Sequence, residues 1–487
     1  MGRTDTLGGA PDRSLRAFVA LWVCLAAAIV FFLVQPFVAH HSYYGPRPSS
    51  ADDFWWVVAV LFVPYAYAIR SYLRGNRVSA SALFGAAAAL YLLLIPAAAL
   101  QSQDVYQYLL YGKMALRGHD PYVVHAASLP DPWRAWTLWD NTLSVYGPLW
   151  TLLTAGVVKV TGQSLTAAFL LMKTVAAALA LAATGLLAVS ARASREGRGA
   201  FAAAADPGFA VLAFALNPMV LFSVGLGAHT DVLVAAALAG AVAAYGRGRD
   251  VPSTLLIVAA TLVKAYAGVV LVAWLIHLWR RRGAGTASAH AALAAAAAVI
   301  AYLPFLHGTD TFTGIADIGR VASASLAGTI VRLASGQAWN AYAAGSSGAA
   351  GVVRVLGLVA LVIAVVQVAR SPRTAREPWR AGAILFWVYV LVTPWYLFWH
   401  SIGLVALAVA CADEVVLWST LTFSGTSLFV GTGGAAAGLA LQATVRYGPP
   451  GVVAFWTRAR LRPLAGRDPH GRTPASHPAE SVAPANP

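Results

Sequence analysis

A carboxylate that takes a proton from a hydroxyl group works best where water meets an apolar surface, and Asp104 stands at such a point. It lies near the start of Gln101 to Trp150, a polar, aromatic and proline-rich stretch between two apolar runs. The stretch also carries Lys113, Arg117, His119, Asp120, Asp131, Arg134 and Asp140, so it holds four of the 19 acidic residues of the chain. Asp104 has two readings. It is a general base at a water–membrane boundary, or it is a solvated loop carboxylate or a cap for a helix over Val105 to Leu116. Tyr106, Tyr108 and Tyr111 follow within two helical turns, with Tyr122 and Tyr146 further on. They are a platform for a sugar ring or an interfacial aromatic belt. His119-Asp120-Pro121-Tyr122 reads as a structural turn, because Pro121 holds Asp120 extended.

Three further places carry chemistry-bearing types. His229 and Asp231 end an apolar run and are framed by glycines. Two apart, they do not share a helical face. In irregular chain they jointly bind a phosphate or hold a metal; otherwise they cap a loop. Lys264 is the most isolated cation, with apolar runs on both sides. A membrane-embedded cation is a functional candidate, here as a phosphate counter-ion, with snorkelling to the interface as the plainer role. Arg320, Arg332 and His400 are weaker candidates for the same job. Tyr396 and Trp399 belong to a sugar site or to the belt.

The elements that position these residues follow from composition. The 487 residues are 59% hydrophobic and only 11% charged, with a mean hydropathy of +0.67, where a soluble chain is about a quarter charged. Apolar runs of roughly 20 residues recur along the whole length, which defines a polytopic helical membrane protein; a β-barrel would alternate. The net charge of +15 comes from arginines in short breaks between apolar runs. The positive-inside rule accounts for that, so no nucleic-acid partner is expected, and the basic excess suits an anionic lipid headgroup or lipid-phosphate substrate. Cys24 and Cys411 sit in apolar runs and build neither a disulfide framework nor a metal cluster.

Charge then sets the topology. The N-terminus, with Arg3, Arg13 and Arg16, is expected inside, and Leu15 to Ala39 is kept as a span rather than a signal peptide. Past an outer loop with His40, His41, Asp52 and Asp53, the second span (Phe54–Leu73) returns to Arg70, Arg74 and Arg77. The third, Ser79 to Leu100, delivers Asp104 to the outer face. Leu165 to Ala191 ends inside at Arg192, Arg195 and Arg198, so Pro148 to Val160 is expected not to cross but to lie on the outer surface, started by Pro148. Phe209 to Gly227 crosses outward to His229. Pro252–Val263 and Ala265–Trp279 have basic entry and exit, so they are expected as two short crossings or a membrane-embedded hairpin, with Lys264 at or near the far turn. A second outer loop, 307–348, contains Asp310, Asp317 and Trp339. The expected fold is all-α, about 11 to 13 spans in one domain over 1–462, with a disordered tail over 463–487.

Several short motifs, in this order, resemble GT-C superfamily membrane glycosyltransferases. They are Ser102-Gln103-Asp104-Val105-Tyr106, Gly118-His119-Asp120-Pro121-Tyr122, Tyr146-Gly147-Pro148-Leu149, Asn217-Pro218, Gly227-Ala228-His229-Thr230-Asp231, Leu262-Val263-Lys264 and Pro394-Trp395-Tyr396-Leu397-Phe398-Trp399. The pattern is most similar to the polyprenyl-phosphate-mannose-dependent alpha-1,6-mannosyltransferases of actinobacterial cell-envelope lipoglycan synthesis. The resemblance implies inverting transfer of a sugar from a polyprenyl-phosphate donor to a glycan or lipoglycan acceptor, at the outer face of the plasma membrane. It also implies that Asp104 is the catalytic base and that Lys264, His229 and Arg332 stabilise the departing lipid phosphate. Two departures stand out. Gln103 replaces the second acidic residue that many such enzymes carry beside the catalytic Asp, which counts against a divalent-metal requirement. No large outer C-terminal domain is expected either, so the loops are expected to bind the acceptor.

A transporter or flippase of lipid-linked sugars is the alternative. It would show inverted halves and polar residues at mid-membrane in several helices, whereas here the polar residues gather at the outer ends. A GT-C-like scaffold without activity is the third reading. Nothing in the residues themselves selects mannose from its epimers.

Overall fold

The computed structural model describes residues 13–38, 57–100, 102–193, 206–323, 325–337, 340–411, 413–429 and 436–465. The first outer loop with His40, Asp52 and Asp53, the basic residues Arg195 and Arg198, Trp339, and the tail beyond 465 lie outside them. Among the described residues the chain is helical, with no strand: an all-α polytopic membrane protein. Its first three helices are α1 (Arg13–Val38), α2 (Phe62–Leu73) and α3 (Ala80–Leu94). Next come α4 (Asp104–Leu116), α5 (Pro148–Thr161) and α6 (Leu165–Ala193). The middle of the chain forms α7 (Pro207–Phe214), α8 (Pro218–Gly227), α9 (Asp231–Gly246), α10 (Asp250–Thr261), α11 (Gly268–Arg282) and α12 (Ala284–Tyr302). Three short helices, α13 (Thr313–Ile318), α14 (Leu326–Ala334) and α15 (Ala341–Gly345), break up the segment expected as a second outer loop. Last are α16 (Gly348–Arg370), α17 (Pro378–Val392), α18 (Ile402–Cys411), α19 (Glu414–Thr426) and α20 (Ala436–Ala465). The last of these runs through Pro463, two residues past the expected start of the tail.

Among the described residues, four helices are long and apolar enough to cross a bilayer, five if a bent pair is one span, and seven shorter apolar helices of 10–17 residues accompany them. Layering follows sequence. Helices α7 and α8 are apolar all round, and every one of their residues is buried, as helices without a polar face must be. They and α9 form the centre of the bundle, packed by α6, α10 and α18. On α16 the apolar residues Val352, Val355, Leu356 and Val359 are exposed instead, the expected state of a lipid-facing surface.

Two local features carry the site. The span expected over Phe209 to Gly227 is broken: α7 and α8 meet at 57°. Pro218 disfavours helical geometry at the residue before it. Asn217 accordingly adopts φ −65°, ψ 121°, and its side chain accepts the N–H groups of Met219 and Val220. Its Nδ2 donates to Ser424 Oγ at 2.9 Å. At the other end of α8, Ala228 adopts the left-handed conformation with φ +47°, unusual for a residue with a Cβ. This turns the chain so that His229 and Asp231 enter the interior at the head of α9. The segment between α3 and α4, which delivers Asp104, is held by Lys173 of α6, whose ammonium donates to the Ala97 carbonyl.

Candidate active site

Asp104 is the first residue of α4, not its cap: Gln103 occupies the cap position and no side chain caps the helix there. The Asp104 N–H donates to Ser102 Oγ at 3.0 Å, and the Tyr108 hydroxyl approaches Asp104 Oδ2 at 3.5 Å. The side chain is 14% exposed and lines a cavity of about 400 Å³. Neither a solvated loop carboxylate nor a helix cap describes it. Burial pushes the Asp104 carboxyl above the ordinary carboxylate range; the hydroxyl of Ser102, the charge of Lys264 and the indole of Trp139 oppose that shift, and the charge of Asp231 adds to it.

Lys264 reaches the same cavity from the break between α10 and α11. Its ammonium donates to Asp231 Oδ2 at 2.8 Å, and the other oxygen of Asp231 accepts the phenol of Tyr266. Asp231 is fully buried, and this pair of donors compensates its charge in a low-dielectric interior. Between Asp104 and Asp231 lies His229. Its Nδ1 is 3.4 Å from Tyr108 Oη and 3.7 Å from Asp104 Oδ2, and its ring stacks on Trp399 with centroids 4.1 Å apart. Burial, with the Lys264 charge, holds the imidazole well below its usual pKa, so it is neutral at pH 7. The cavity therefore has two carboxylates nearby and one lysine.

The loop that precedes α5 is fastened to the Lys264 break by two main-chain hydrogen bonds. The Gly147 N–H donates to the Val263 carbonyl at 2.9 Å and the Leu149 N–H to the Leu262 carbonyl at 3.2 Å. A Cβ at Gly147 would collide with the Leu262 carbonyl, so only glycine permits this approach. The result is that Tyr146 lies against Lys264, 5.7 Å from ring centroid to ammonium. Beneath, Gly112 lets α4 and α5 touch: a Cβ there would fall 2.5 Å from the Thr154 carbonyl carbon.

Of the residues singled out in the sequence, Gln103, Asp104, Tyr111, Tyr146, Lys264, Trp399 and His400 line the cavity. Tyr108, His229 and Asp231 form the layer behind it. His229, expected at a leaving phosphate, is a neutral ring behind Trp399. Four are placed elsewhere. Tyr106 packs on Trp136 and Phe169. Tyr122 packs on Phe305 and bonds Thr151. Tyr396 packs on Phe423. Arg332 sits on α14, outside the cavity lining. The turn at Asp120 is structural, accepting the Tyr122 N–H and facing His307 at 2.8 Å. The sequence reading missed Tyr266, Trp139 and Tyr389, all of which line the cavity, and held Trp395, which also lines it, only as part of a motif. Tyr266 had one signal, its place two residues after Lys264. Among the described residues no group of three or more His, Cys, Asp or Glu has the arrangement of a metal site.

This fold and site define a polytopic helical membrane protein with an aromatic-walled cavity at one end of the bundle and a buried carboxylate on its wall. Residues 17–281 match the family model described as alpha-(1->6)-mannopyranosyltransferase, N-terminal domain, and the chain belongs to that family. The matched stretch includes Asp104, His229, Asp231 and Lys264 and ends before His400. The chain is 28% identical over 236 residues to alpha-(1->6)-mannopyranosyltransferase A of Mycobacterium tuberculosis, covering 47% of this chain and 43% of that protein. It is 30% identical over 193 residues to the protein of the same name from Corynebacterium glutamicum, covering 38% of each. The matches thus span less than half the length of these curated relatives. No solved structure matches the chain.

Proposed function

We propose that this protein is an inverting glycosyltransferase that moves mannose from a polyprenyl-phosphate carrier to a glycan or lipoglycan acceptor at the outer face of the plasma membrane. The observation that carries the proposal is Asp104: a carboxylate lining a 400 Å³ cavity, released from capping its own helix and raised in pKa by burial. A carboxylate raised above its ordinary range is a stronger base toward a hydroxyl proton than a solvated one. The mannosyltransferase names of the relatives support the sugar.

In the reaction the acceptor hydroxyl attacks the anomeric carbon from the face opposite the phosphate. The new bond joins the acceptor oxygen to that carbon, and the bond from the carbon to the phosphate oxygen breaks. The hydroxyl proton passes to an Asp104 oxygen and then to water, and polyprenyl phosphate leaves with the bonding pair. Lys264 meets the charge that grows on that phosphate, while Asp231 and Tyr266 hold the ammonium in place. Trp139, Tyr146, Tyr389 and Trp399 provide flat apolar faces for the sugar rings. Segments 101–150 and 307–348 are the catalytic and acceptor-facing loops in this reading.

The test is transfer of radiolabel from polyprenyl phosphomannose to a mannose oligosaccharide by purified protein. Wild type transfers label. Asp104→Asn, nearly isosteric, inserts and folds as wild type but loses activity by about two orders of magnitude or more. Full turnover by Asp104→Asn removes Asp104 from the role of base, and no transfer by wild type from this or any other polyprenyl-linked sugar ends the proposal.

A further inference from the structure

The helices that form the site at one end converge on a second cavity at the other. Helix α9 carries Asp231 at its head, α17 leads into Trp395, and α18 follows His400. Their opposite ends, with the end of α6, enclose a space of about 200 Å³. At a rise of about 1.5 Å per residue, the 16 residues of α9 put the two cavities roughly 24 Å apart, close to a bilayer core in depth. The arginine clusters mark this end as the cytoplasmic one.

We infer that this inner cavity binds the phosphate headgroup of an anionic lipid of the cytoplasmic leaflet. Arg247, Arg376 and Arg380 line it. Arg380 is committed to Asp413 at 2.5 Å and lies 3.8 Å from Glu377, which also lines the cavity. Arg247 spends one N–H on the Ala243 carbonyl at the end of α9, leaving most of its five donors. Arg376 is exposed, and among the described residues neither it nor Arg247 pairs with a carboxylate. Helix α17 starts at the cavity with Pro378, and Glu377 gives it no side-chain cap, so its first N–H groups remain open to an anion. Two guanidinium groups and an uncapped helix start are a phosphate-binding set. The walls decide for a lipid over a soluble phosphate. Trp379 and Leu187 make them apolar, and Val189 of α6, also in the lining, is 44% exposed within a candidate span, where a lipid chain covers it.

Native mass spectrometry of the full chain in detergent tests this, with added phosphatidylglycerol, phosphatidylcholine or inorganic phosphate. The comparison is wild type, Arg247→Gln/Arg376→Gln, and a control, Arg70→Gln/Arg74→Gln, which removes two exposed arginines at the end of α2 and just past it, outside the cavity. All substitutions are at exposed residues, and unchanged gel filtration checks the fold. Wild type retains phosphatidylglycerol in preference to phosphatidylcholine. The cavity variant loses roughly tenfold or more of that retention, and the control loses little. Displacement by millimolar inorganic phosphate supports the phosphate set and assigns it to a soluble anion rather than a lipid. Equal retention of both lipids, or equal loss in variant and control, overturns the proposal, because binding is then a diffuse effect of basic charge.

Discussion

At the scale of the residue, the raised carboxyl of Asp104 sets a pH dependence. A base must be deprotonated to act, so activity falls as pH drops through the Asp104 pKa, and burial puts that acid limb above the ordinary carboxylate value of about 4. The neighbours tune it in opposite directions. Lys264 lowers the pKa and Asp231 raises it. Lys264→Gln therefore moves the acid limb to higher pH, and Asp231→Asn moves it lower; pH profiles of kcat/KM for the two variants check this. A common shift in one direction would separate the limb from Asp104. Asp104 and Lys264 were legible in the sequence because a charge in an apolar chain is conspicuous. The bond between Lys264 and Asp231 was not, since 33 residues separate them and only the break between α10 and α11 turns one toward the other. Tyr266 and Tyr389 were illegible for a different reason: in a membrane protein an aromatic beside a span end looks the same whether it faces lipid or a cavity.

At the scale of the element, position depends on two backbone features. Gly112 allows α4 to seat Asp104 against α5. Gly112→Val forces the helices apart and is expected to cost about 1–3 kcal/mol, seen as a lower melting temperature in detergent, together with loss of transfer as Asp104 shifts. Ala228 works the other way. Its left-handed conformation costs a residue with a Cβ about 1–2 kcal/mol, so Ala228→Gly should raise the melting temperature while activity persists. Asn217-Pro218 entered the sequence reading as one of the motifs of the resemblance, and the span across it was read as continuous. The 57° bend follows from the pre-proline restriction, but the angle depends on Ser424, some 200 residues later, which accepts the Asn217 amide.

At the scale of the molecule, the all-α membrane class followed from composition alone, since apolar runs of span length leave few other folds. Which helices end up at the centre did not, because α7 and α16 are both apolar and only packing separates the enclosed from the lipid-facing. A polar anchor tethers the core to the early helices. Asp206, at the head of α7, accepts the Tyr72 phenol at 2.5 Å and Arg77 at 3.0 Å. Burial works to raise its pKa, but Tyr72, the Gly208 N–H and Arg77 outweigh it and hold the carboxyl below its ordinary value. The stabilisation is thus complete above the unfolded value of about 3.9 and is lost as pH falls through the lower folded value. Asp206→Asn should melt lower than wild type at neutral pH and converge with it in acid. The joint between Gly147–Leu149 and Leu262–Val263 has a different kind of consequence. It is made of peptide groups, so substitution elsewhere along it leaves both hydrogen bonds written in the chain. Outside Gly147, where a Cβ would strike the Leu262 carbonyl, alanine substitution keeps both hydrogen-bonding groups, and drift in Leu149 or Leu262 does not remove them. Replacing the Leu149 amide with an ester, which removes one N–H and no side chain, is the edit that exposes what holds Tyr146 to Lys264.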